Sequence, residues 1–212
     1  MANSIFDIYK KLYKYFGPQN WWPAESAFEV MVGAILVQNT NWKNVEKSIN
    51  NLKKAKLLNA RKLYNLEESR IAQLIRPSGY YKIKAKRLKN FLHFFFREYN
   101  LDISRIKKTP FLRLRERLLC VNGIGPETAD SILLYALDKP VFVVDAYTKR
   151  IFSRHKFIKN SDDYHLVQDY FTRHLNKNVR VFNEYHALIV KLAKDFCSKK
   201  KDKCLSCPLC GL

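Results

Sequence analysis

Residues Leu118–Asp130, which read LLCVNGIGPETAD, contain the pattern that decides the fold. They predict a helix, a Gly-Ile-Gly turn and a second helix that begins at Pro126, where proline costs no backbone donor. Two glycines allow a tight turn and leave N–H groups pointing outward beside a helix N-terminus. Such a loop can hold a phosphate oxygen.

This order of elements is the pattern of a helix-hairpin-helix, which binds the DNA backbone without reading base sequence. The alternative is an ordinary turn between helices with a glycine cap. The 212-residue chain has 39 Lys and Arg against 19 Asp and Glu, a net charge of +20 that suits a polyanion. A membrane surface is the rival partner, but the basic residues are not aligned on one amphipathic helix.

The rest of the chain predicts an all-α, soluble globular protein, with 47% hydrophobic and 27% charged residues. Helical spacing of apolar residues recurs, as in Ile5, Ile8 and Leu12, and helix breakers divide the chain into nine or ten short helices. We expect two helical lobes with a cleft between them, one formed by residues 23–135 and the other by 1–22 plus 136–212. The start of the chain has no signal layout, and the longest apolar run, 30–37, is too short to cross a bilayer. These features indicate a cytoplasmic monomer, associated with the nucleoid of a prokaryote.

The stretch KPVFVVD, residues 139–145, is the one strand-like segment. It is too isolated to form a sheet, so we interpret it as an extended connector through the core that delivers Asp145 to a cleft. The following residues, AYTKRIFSR, predict a helix. Asp145 is then either a structural cap of this helix or a catalytic carboxylate.

Residues 118–154 together closely resemble the DNA glycosylase superfamily that includes endonuclease III, which combines a helix-hairpin-helix with an essential aspartate. The resemblance extends to AILVQNTNWKNV at 34–45, where Gln38 matches a glutamine that enters the gap left by a flipped nucleotide. It also covers PSGYYKIKA at 77–85, similar to a loop that wedges the duplex. Asp145 is thereby implied to be catalytic. The implied DNA contacts are Gln38, Tyr80, Tyr81, Lys84, Gly123, Ile124, Gly125, Thr128 and Lys149.

The reaction class depends on one departure from the family pattern. Bifunctional members have a lysine two residues after the second hairpin glycine, which forms a Schiff base with the sugar. This sequence has Glu127 there, so we expect hydrolysis without strand cleavage. Lys149, one turn past Asp145, could substitute, although a phosphate contact is the simpler interpretation. A glycosylase/lyase for oxidised pyrimidines and a non-catalytic DNA-binding module remain as alternatives.

Aromatic residues suggest the damaged base that would be removed from double-stranded DNA. The sequence WWP at 21–23, followed by VGAILVQNT, resembles the third type of bacterial 3-methyladenine DNA glycosylase. Aromatic rings hold a cationic base, such as an alkylated purine, through cation–π attraction. The implied base pocket comprises Trp21, Trp22, Pro23, Trp42 and Glu127. In the alternative interpretation, Trp21 and Trp22 only pack under the first helix.

Four of the five cysteines lie in the last sixteen residues, with the spacing C-x6-C-x2-C-x2-C. Cys197, Cys204, Cys207 and Cys210 resemble the 4Fe-4S ligands of the endonuclease III group. The family's last gap is usually five residues and here it is two, so tetrahedral zinc and an unmetallated loop remain alternatives. Lysines 199, 200, 201 and 203 could reach DNA phosphates. Cys120, the fifth cysteine, is predicted to be a small core residue.

Overall fold

The computed structural model describes residues 4–199 and 202–212 and confirms the all-α fold class in that part of the chain. Twelve α-helices are described there, more than the nine or ten predicted. None of these helices is both long enough and apolar enough to cross a membrane. Their bounds are α1 Ile5–Phe16, α2 Ala27–Leu36, α3 Trp42–Lys54, α4 Ala60–Asn65, α5 Glu68–Leu74, α6 Tyr81–Tyr99, α7 Ile103–Lys108, α8 Phe111–Leu119, α9 Pro126–Ser131, α10 Ala146–Arg154, α11 Tyr164–His174 and α12 Val179–Asp195.

The chain forms two compact units. One comprises Met1–Pro23 and Pro140–Leu212, and the other comprises Ala24–Lys139. The first unit therefore contains α1 and α10 to α12, and the second contains α2 to α9. The second unit is a continuous stretch of chain, whereas the first is assembled from both ends of the sequence.

The continuous unit is built around α2, whose residues Phe28–Leu36 are all buried. The 19-residue helix α6 contributes a row of buried apolar side chains to the same core. Helices α8 and α9 are joined by a buried ion pair, in which Arg115 Nε and Nη2 donate to the two oxygens of Asp130 at 2.7 and 3.0 Å. A bidentate pair of this kind fixes geometry as well as adding energy. It holds the two helices on either side of the Gly-Ile-Gly turn in register.

The discontinuous unit is built around α12. The buried hydroxyl of Tyr185 donates to the carbonyl of Ile5 at 2.9 Å and so connects α12 with α1. Residues 141–144 are buried and extended without pairing into a sheet, and Phe142 stacks on Phe171 with ring centroids 4.2 Å apart. This segment ends at Asp145, directly before α10, as the sequence indicates.

Candidate active site

The turn between α8 and α9 differs in one respect from the loop of outward N–H groups that the glycine pattern predicts. Gly123 has φ +94°, a conformation that L side chains rarely adopt, whereas Gly125 is extended with φ −89°. The amide of Ile124 donates to the Val121 carbonyl at 2.9 Å, so this amide closes the turn and does not face outward. Ile124 itself is buried. Helix α9 begins at Pro126, as predicted.

Gln38 lies two residues beyond the end of α2 and is bonded to the hairpin. Its Nε2 donates to the Gly123 carbonyl at 3.0 Å and to Thr128 Oγ1 at 2.8 Å. Its Oε1 accepts a hydrogen bond from Arg87 Nη1 on α6. The side-chain amide is thus occupied by protein partners at both ends. Gln38 must exchange these bonds before it can enter a DNA duplex.

The loop before α6 exposes one of the two candidate wedge tyrosines. Tyr80 is 68% exposed and adopts the left-handed conformation, with φ 46° and ψ 32°. Tyr81 begins α6, is half-buried, and packs near the guanidinium of Arg76. Exposure therefore favours Tyr80 as the residue that can reach a duplex.

Lys84, expected at the DNA surface, lies instead inside the protein. It is 1% exposed, and its ammonium donates to the carbonyls of Leu36 at 2.8 Å and Ser78 at 2.6 Å. Burial, followed by the charge of Arg87, lowers the pKa of Lys84 to about 8. A phosphate cannot reach this amine, so the expected direct contact is wrong in this structure. Helical spacing alone could not reveal that this position faces inward.

Asp145 caps the N-terminus of α10 and also contacts a histidine. Its Oδ1 accepts from the Thr148 amide at 2.7 Å and from Thr148 Oγ1 at 2.9 Å. His186 Nε2 on α12 lies 3.4 Å from Oδ2, and the Asp145 side chain is only 11% exposed. Burial alone would raise the pKa of Asp145, but His186 and the two Thr148 donors outweigh it and lower that pKa. The carboxylate of Asp145 therefore stays ionised at pH values below the ordinary pKa of an aspartate. Sequence reasoning missed His186, because a histidine within an apolar helix gives no separate signal.

Two further residues bear on the reaction class. Glu127 lies in the first turn of α9 and is exposed. The ammonium of Lys149 donates to the Asp162 carbonyl at 2.5 Å and is half-buried. Lys149 is therefore already engaged within its own unit.

The tryptophans expected in the base pocket belong to different units. Trp21 and Trp22 are half-buried, with ring centroids 5.4 Å apart, and Pro23 is exposed. Trp42 begins α3 in the continuous unit, where its Nε1 donates to Glu46 at 2.9 Å. All three tryptophans are half-buried residues, unlike the fully buried phenylalanines of the core.

The C-terminal cysteines all line one cavity of about 190 Å³, together with Arg154 and Asp202. Arg154 Nη1 lies 3.0 Å from the sulfur of Cys197 and 2.6 Å from Asp202 Oδ1. Burial, followed by the neighbouring thiols, raises the pKa of Cys207. Within residues 4–199 and 202–212, no three His, Cys, Asp or Glu side chains lie close enough together to hold a metal ion. Lys200 and Lys201 lie outside the described residues.

Cys120 does not belong to this group and is not a core residue. It caps the end of α8 and is exposed, which corrects the expectation from its apolar neighbours. Leu118 and Val121 are buried, and Cys120 lies between them at an exposed position.

The sequence of this chain matches a known protein family and several relatives. The family model described as "HhH-GPD superfamily base excision DNA repair protein" matches residues 32–177. The protein named "Putative DNA repair glycosylase MJ1434" of Methanocaldococcus jannaschii is 52% identical over 207 residues, which cover 97% of this chain and 93% of that protein. Endonuclease III of Sulfolobus acidocaldarius is 27% identical over 184 residues, or 86% of this chain and 79% of that protein.

Solved structures agree in fold. The 3-methyladenine DNA glycosylase MagIII of H. pylori, bound to 1,N6-ethenoadenine, is 32% identical with a TM-score of 0.78, covering 89% of this chain and 96% of that one. A non-covalent endonuclease III–DNA complex has a TM-score of 0.82 at 21% identity, covering 96% and 91%. The family match spans more than half of the chain and the relative from M. jannaschii spans nearly all of it. This chain belongs to the HhH-GPD superfamily of base excision DNA repair proteins and is a DNA glycosylase.

Proposed function

We propose that this glycosylase hydrolyses the N-glycosidic bond of a flipped, alkylated purine such as 3-methyladenine and does not cleave the DNA strand. The observation that carries the proposal is the ionised Asp145 at the head of α10, combined with Glu127 where a lyase would have its lysine. The proposed site also includes Trp21, Trp22, Pro23 and Trp42. The hairpin loop is proposed to bind the DNA backbone.

Asp145 would act through its charge. As the bond to the base breaks, positive charge grows on the deoxyribose, and a preorganised carboxylate stabilises that charge without having to reorient. Thr148 fixes one carboxylate oxygen, and His186 faces the other. These contacts keep Asp145 ionised and limit its rotation.

Strand cleavage by elimination requires an amine nucleophile at the sugar. Glu127 cannot form a Schiff base. Lys149 is the nearest candidate along the chain, but its ammonium is engaged by the Asp162 carbonyl. These two observations support hydrolysis by water over the glycosylase/lyase alternative.

The aromatic residues support the choice of lesion. Stacking on an aromatic ring stabilises any base by about 1–3 kcal/mol and cannot by itself select damage. A desolvated cation over an indole ring gains about 2 kcal/mol more, or about thirtyfold in affinity. The relative MagIII, 32% identical, is a 3-methyladenine DNA glycosylase whose structure holds 1,N6-ethenoadenine.

The test is a comparison of damaged duplexes. We expect the protein to release 3-methyladenine from methylated DNA at least tenfold faster than thymine glycol from an oxidised duplex. Strand breaks should appear only after hot alkali, and borohydride should trap no covalent complex. Free base measured by chromatography and strand breaks measured on gels report the two steps separately.

Each alternative has its own outcome in this assay. Faster release of thymine glycol together with borohydride trapping would identify a glycosylase/lyase instead. Binding without release of any base would identify a DNA-binding module.

Trp42→Ala should reduce 3-methyladenine release about tenfold at unchanged thermal stability. A loss of stability with unchanged specific activity would assign Trp42 to the core.

We further propose that the four C-terminal cysteines hold a 4Fe-4S cluster. All four thiols line the same cavity, which supports a metal group shared by the four cysteines, and their spacing resembles the cluster ligands of the endonuclease III group. When bound, such a cluster would connect four thiolates and so fix the C-terminal loop against α10 and α12. Arg154, which contacts the Cys197 sulfur, would then donate to a thiolate.

The cofactor proposal predicts colour and metal content. The purified protein should be brown, absorb broadly in the visible range and contain about four iron atoms per chain. Cys207→Ser should abolish the colour and lower stability. Cys120→Ser is the matched control, because it removes an exposed thiol outside the cavity and should leave colour and iron unchanged. A colourless protein with one zinc per chain would contradict the proposal.

A further inference from the structure

We infer that Lys84 is a positioning residue that ties together the two segments proposed to probe the duplex, those of Gln38 and Tyr80. This inference rests on the proposed function and on the roles in opening the duplex that the family resemblance implies for Gln38 and Tyr80, which we adopt here as part of the proposal. It goes beyond them, because Lys84 itself cannot touch DNA. The juxtaposition that carries it is a buried ammonium between the Leu36 and Ser78 carbonyls.

Each partner of Lys84 lies two residues from a proposed probing residue. Leu36 is the last residue of α2 and precedes Gln38 by two positions. Ser78 ends the short 3₁₀ turn Arg76–Ser78 and precedes Tyr80 by two positions. Two residues of chain reach at most about 7 Å, so fixing Leu36 and Ser78 limits the positions that Gln38 and Tyr80 can take. The ammonium thus sets the separation of the two segments.

The Tyr80 loop depends on Lys84 for a second reason. The Lys84 amide donates to the Tyr80 carbonyl at 3.0 Å while its ammonium holds Ser78. The Ser78 hydroxyl is itself buried and donates to the Ile75 carbonyl at 2.7 Å. The strained left-handed Tyr80 therefore follows a turn that is anchored from inside.

The Gln38 segment is also held at two points on α6. One turn beyond Lys84, Arg87 donates to Gln38 Oε1, so the same face of the helix holds the backbone before Gln38 and its side-chain amide. Arg87 can release its bond when Gln38 moves toward DNA. Lys84 would keep the end of α2 in place during that exchange.

The charge and the burial of Lys84 both suit its ammonium to holding the Leu36 and Ser78 carbonyls. At neutral pH Lys84 remains charged, since its lowered pKa is about 8, and a charged donor binds a carbonyl more strongly than a neutral one. Its position between two inward-facing carbonyls leaves it no access to solvent. Removal of the amine would leave both carbonyls without their donor and would free the two segments to move apart.

The chain offers a matched control on the same helix. Lys89 of α6 also donates to two carbonyls, those of Tyr64 at 2.6 Å and Leu66 at 3.1 Å. Those carbonyls lie at the end of α4, away from both proposed probing segments in the sequence. Lys84→Met and Lys89→Met therefore remove the same type of contact, and only the first is expected to affect opening of the duplex.

The experiment uses a duplex with 2-aminopurine, whose fluorescence rises when the base leaves the stack, and needs no base release. At saturating protein, wild type and Lys89→Met should brighten the probe equally, and Lys84→Met should lose most of that signal, about fivefold or more. Base release should fall about tenfold for Lys84→Met on a paired lesion and less than threefold opposite an abasic site, where opening is already favourable.

The possible results separate a positioning role from a merely structural one. The inference would be overturned if Lys84→Met brightened the probe as much as wild type, or if wild type did not brighten it. It would also be overturned if Lys84→Met lowered the rate of base release equally on the paired lesion and opposite the abasic site. A Lys89→Met protein that loses the signal to the same degree would overturn it as well. If wild type and Lys89→Met brighten the probe, Lys84→Met does not, and the wild type releases no damaged base, the proposed function is contradicted and the role of Lys84 is supported.

Discussion

Asp145→Asn is expected to lower the rate of base release by at least about 10²-fold while lesion DNA binds as tightly as before or more tightly. Asparagine keeps the volume and can still accept the hydrogen bonds of Thr148, so the cap of α10 survives. The charge that would stabilise the sugar is removed. Removing a negative group also reduces repulsion of phosphates. Single-turnover rates at saturating protein and separate binding titrations measure the two effects.

Asp163→Asn provides the control for this substitution. Asp163 caps α11 in the same unit, where its carboxylate accepts from the Leu166 amide at 2.8 Å, but it is exposed and lies outside the proposed site. Both variants remove one negative charge from a helix N-terminus, and the interaction of such a charge with the helix dipole typically stabilises a protein by about 0.3–1 kcal/mol. Only Asp145→Asn should lose activity. If it retains activity, Asp145 serves as a helix cap alone.

The pH dependence has a defined sign. The pKa of Asp145 is lowered in the folded protein, so its ionised form adds stability above the ordinary carboxylate range. That contribution disappears only as pH falls through the lowered value. The acid limb of base release should therefore lie below the ordinary aspartate pKa, and Asp145→Asn should remove the corresponding part of the acid-induced loss of stability.

Structural features that depend on neighbouring residues in the sequence could be predicted, and features that depend on distant partners could not. The turn at Gly123, the start of α9 at Pro126 and the extended segment before Asp145 follow from local conformational preferences. The number of helices was underestimated, because some ends carry no glycine or proline. Helix α4, for example, begins at an Asn59 cap, and α6 ends at left-handed Asn100.

The inward position of Lys84 and the pairing of His186 with Asp145 depend on long-range contacts. Lys84 meets Leu36 across 48 positions of sequence, and His186 lies on a helix that follows Asp145 by more than thirty residues. A lysine in an amphipathic helix is normally exposed, so its burial becomes apparent only when two carbonyls converge on it. Cys120 is the reverse case, an apolar-looking residue at a helix end that faces solvent.

Gly123→Ala is expected to destabilise the protein and weaken DNA binding together. With φ at +94°, a side chain at this position is strained by about 1–3 kcal/mol. Its Cβ would also lie 2.3 Å from Arg87 Cγ and 2.8 Å from Cδ. These atoms lie near the base of the arginine side chain, so Arg87 must move as a whole and release Gln38. Denaturant unfolding measures the first effect.

Gly125→Ala is the control for folding, because Gly125 has an ordinary φ and its Cβ would meet nothing within 4 Å. It should keep wild-type stability.

Arg87→Ala combined with Gly123→Ala should lower the free energy of unfolding by less than the sum of the two single changes, since loss of the Arg87 side chain removes the clash. If the hairpin binds phosphate, Gly123→Ala should also flatten the dependence of log affinity on log salt by about 0.9 for each phosphate that is no longer bound. Equal stability of the two glycine variants would contradict the packing of Arg87 against Gly123, and an unchanged salt slope would place the phosphate-binding groups elsewhere.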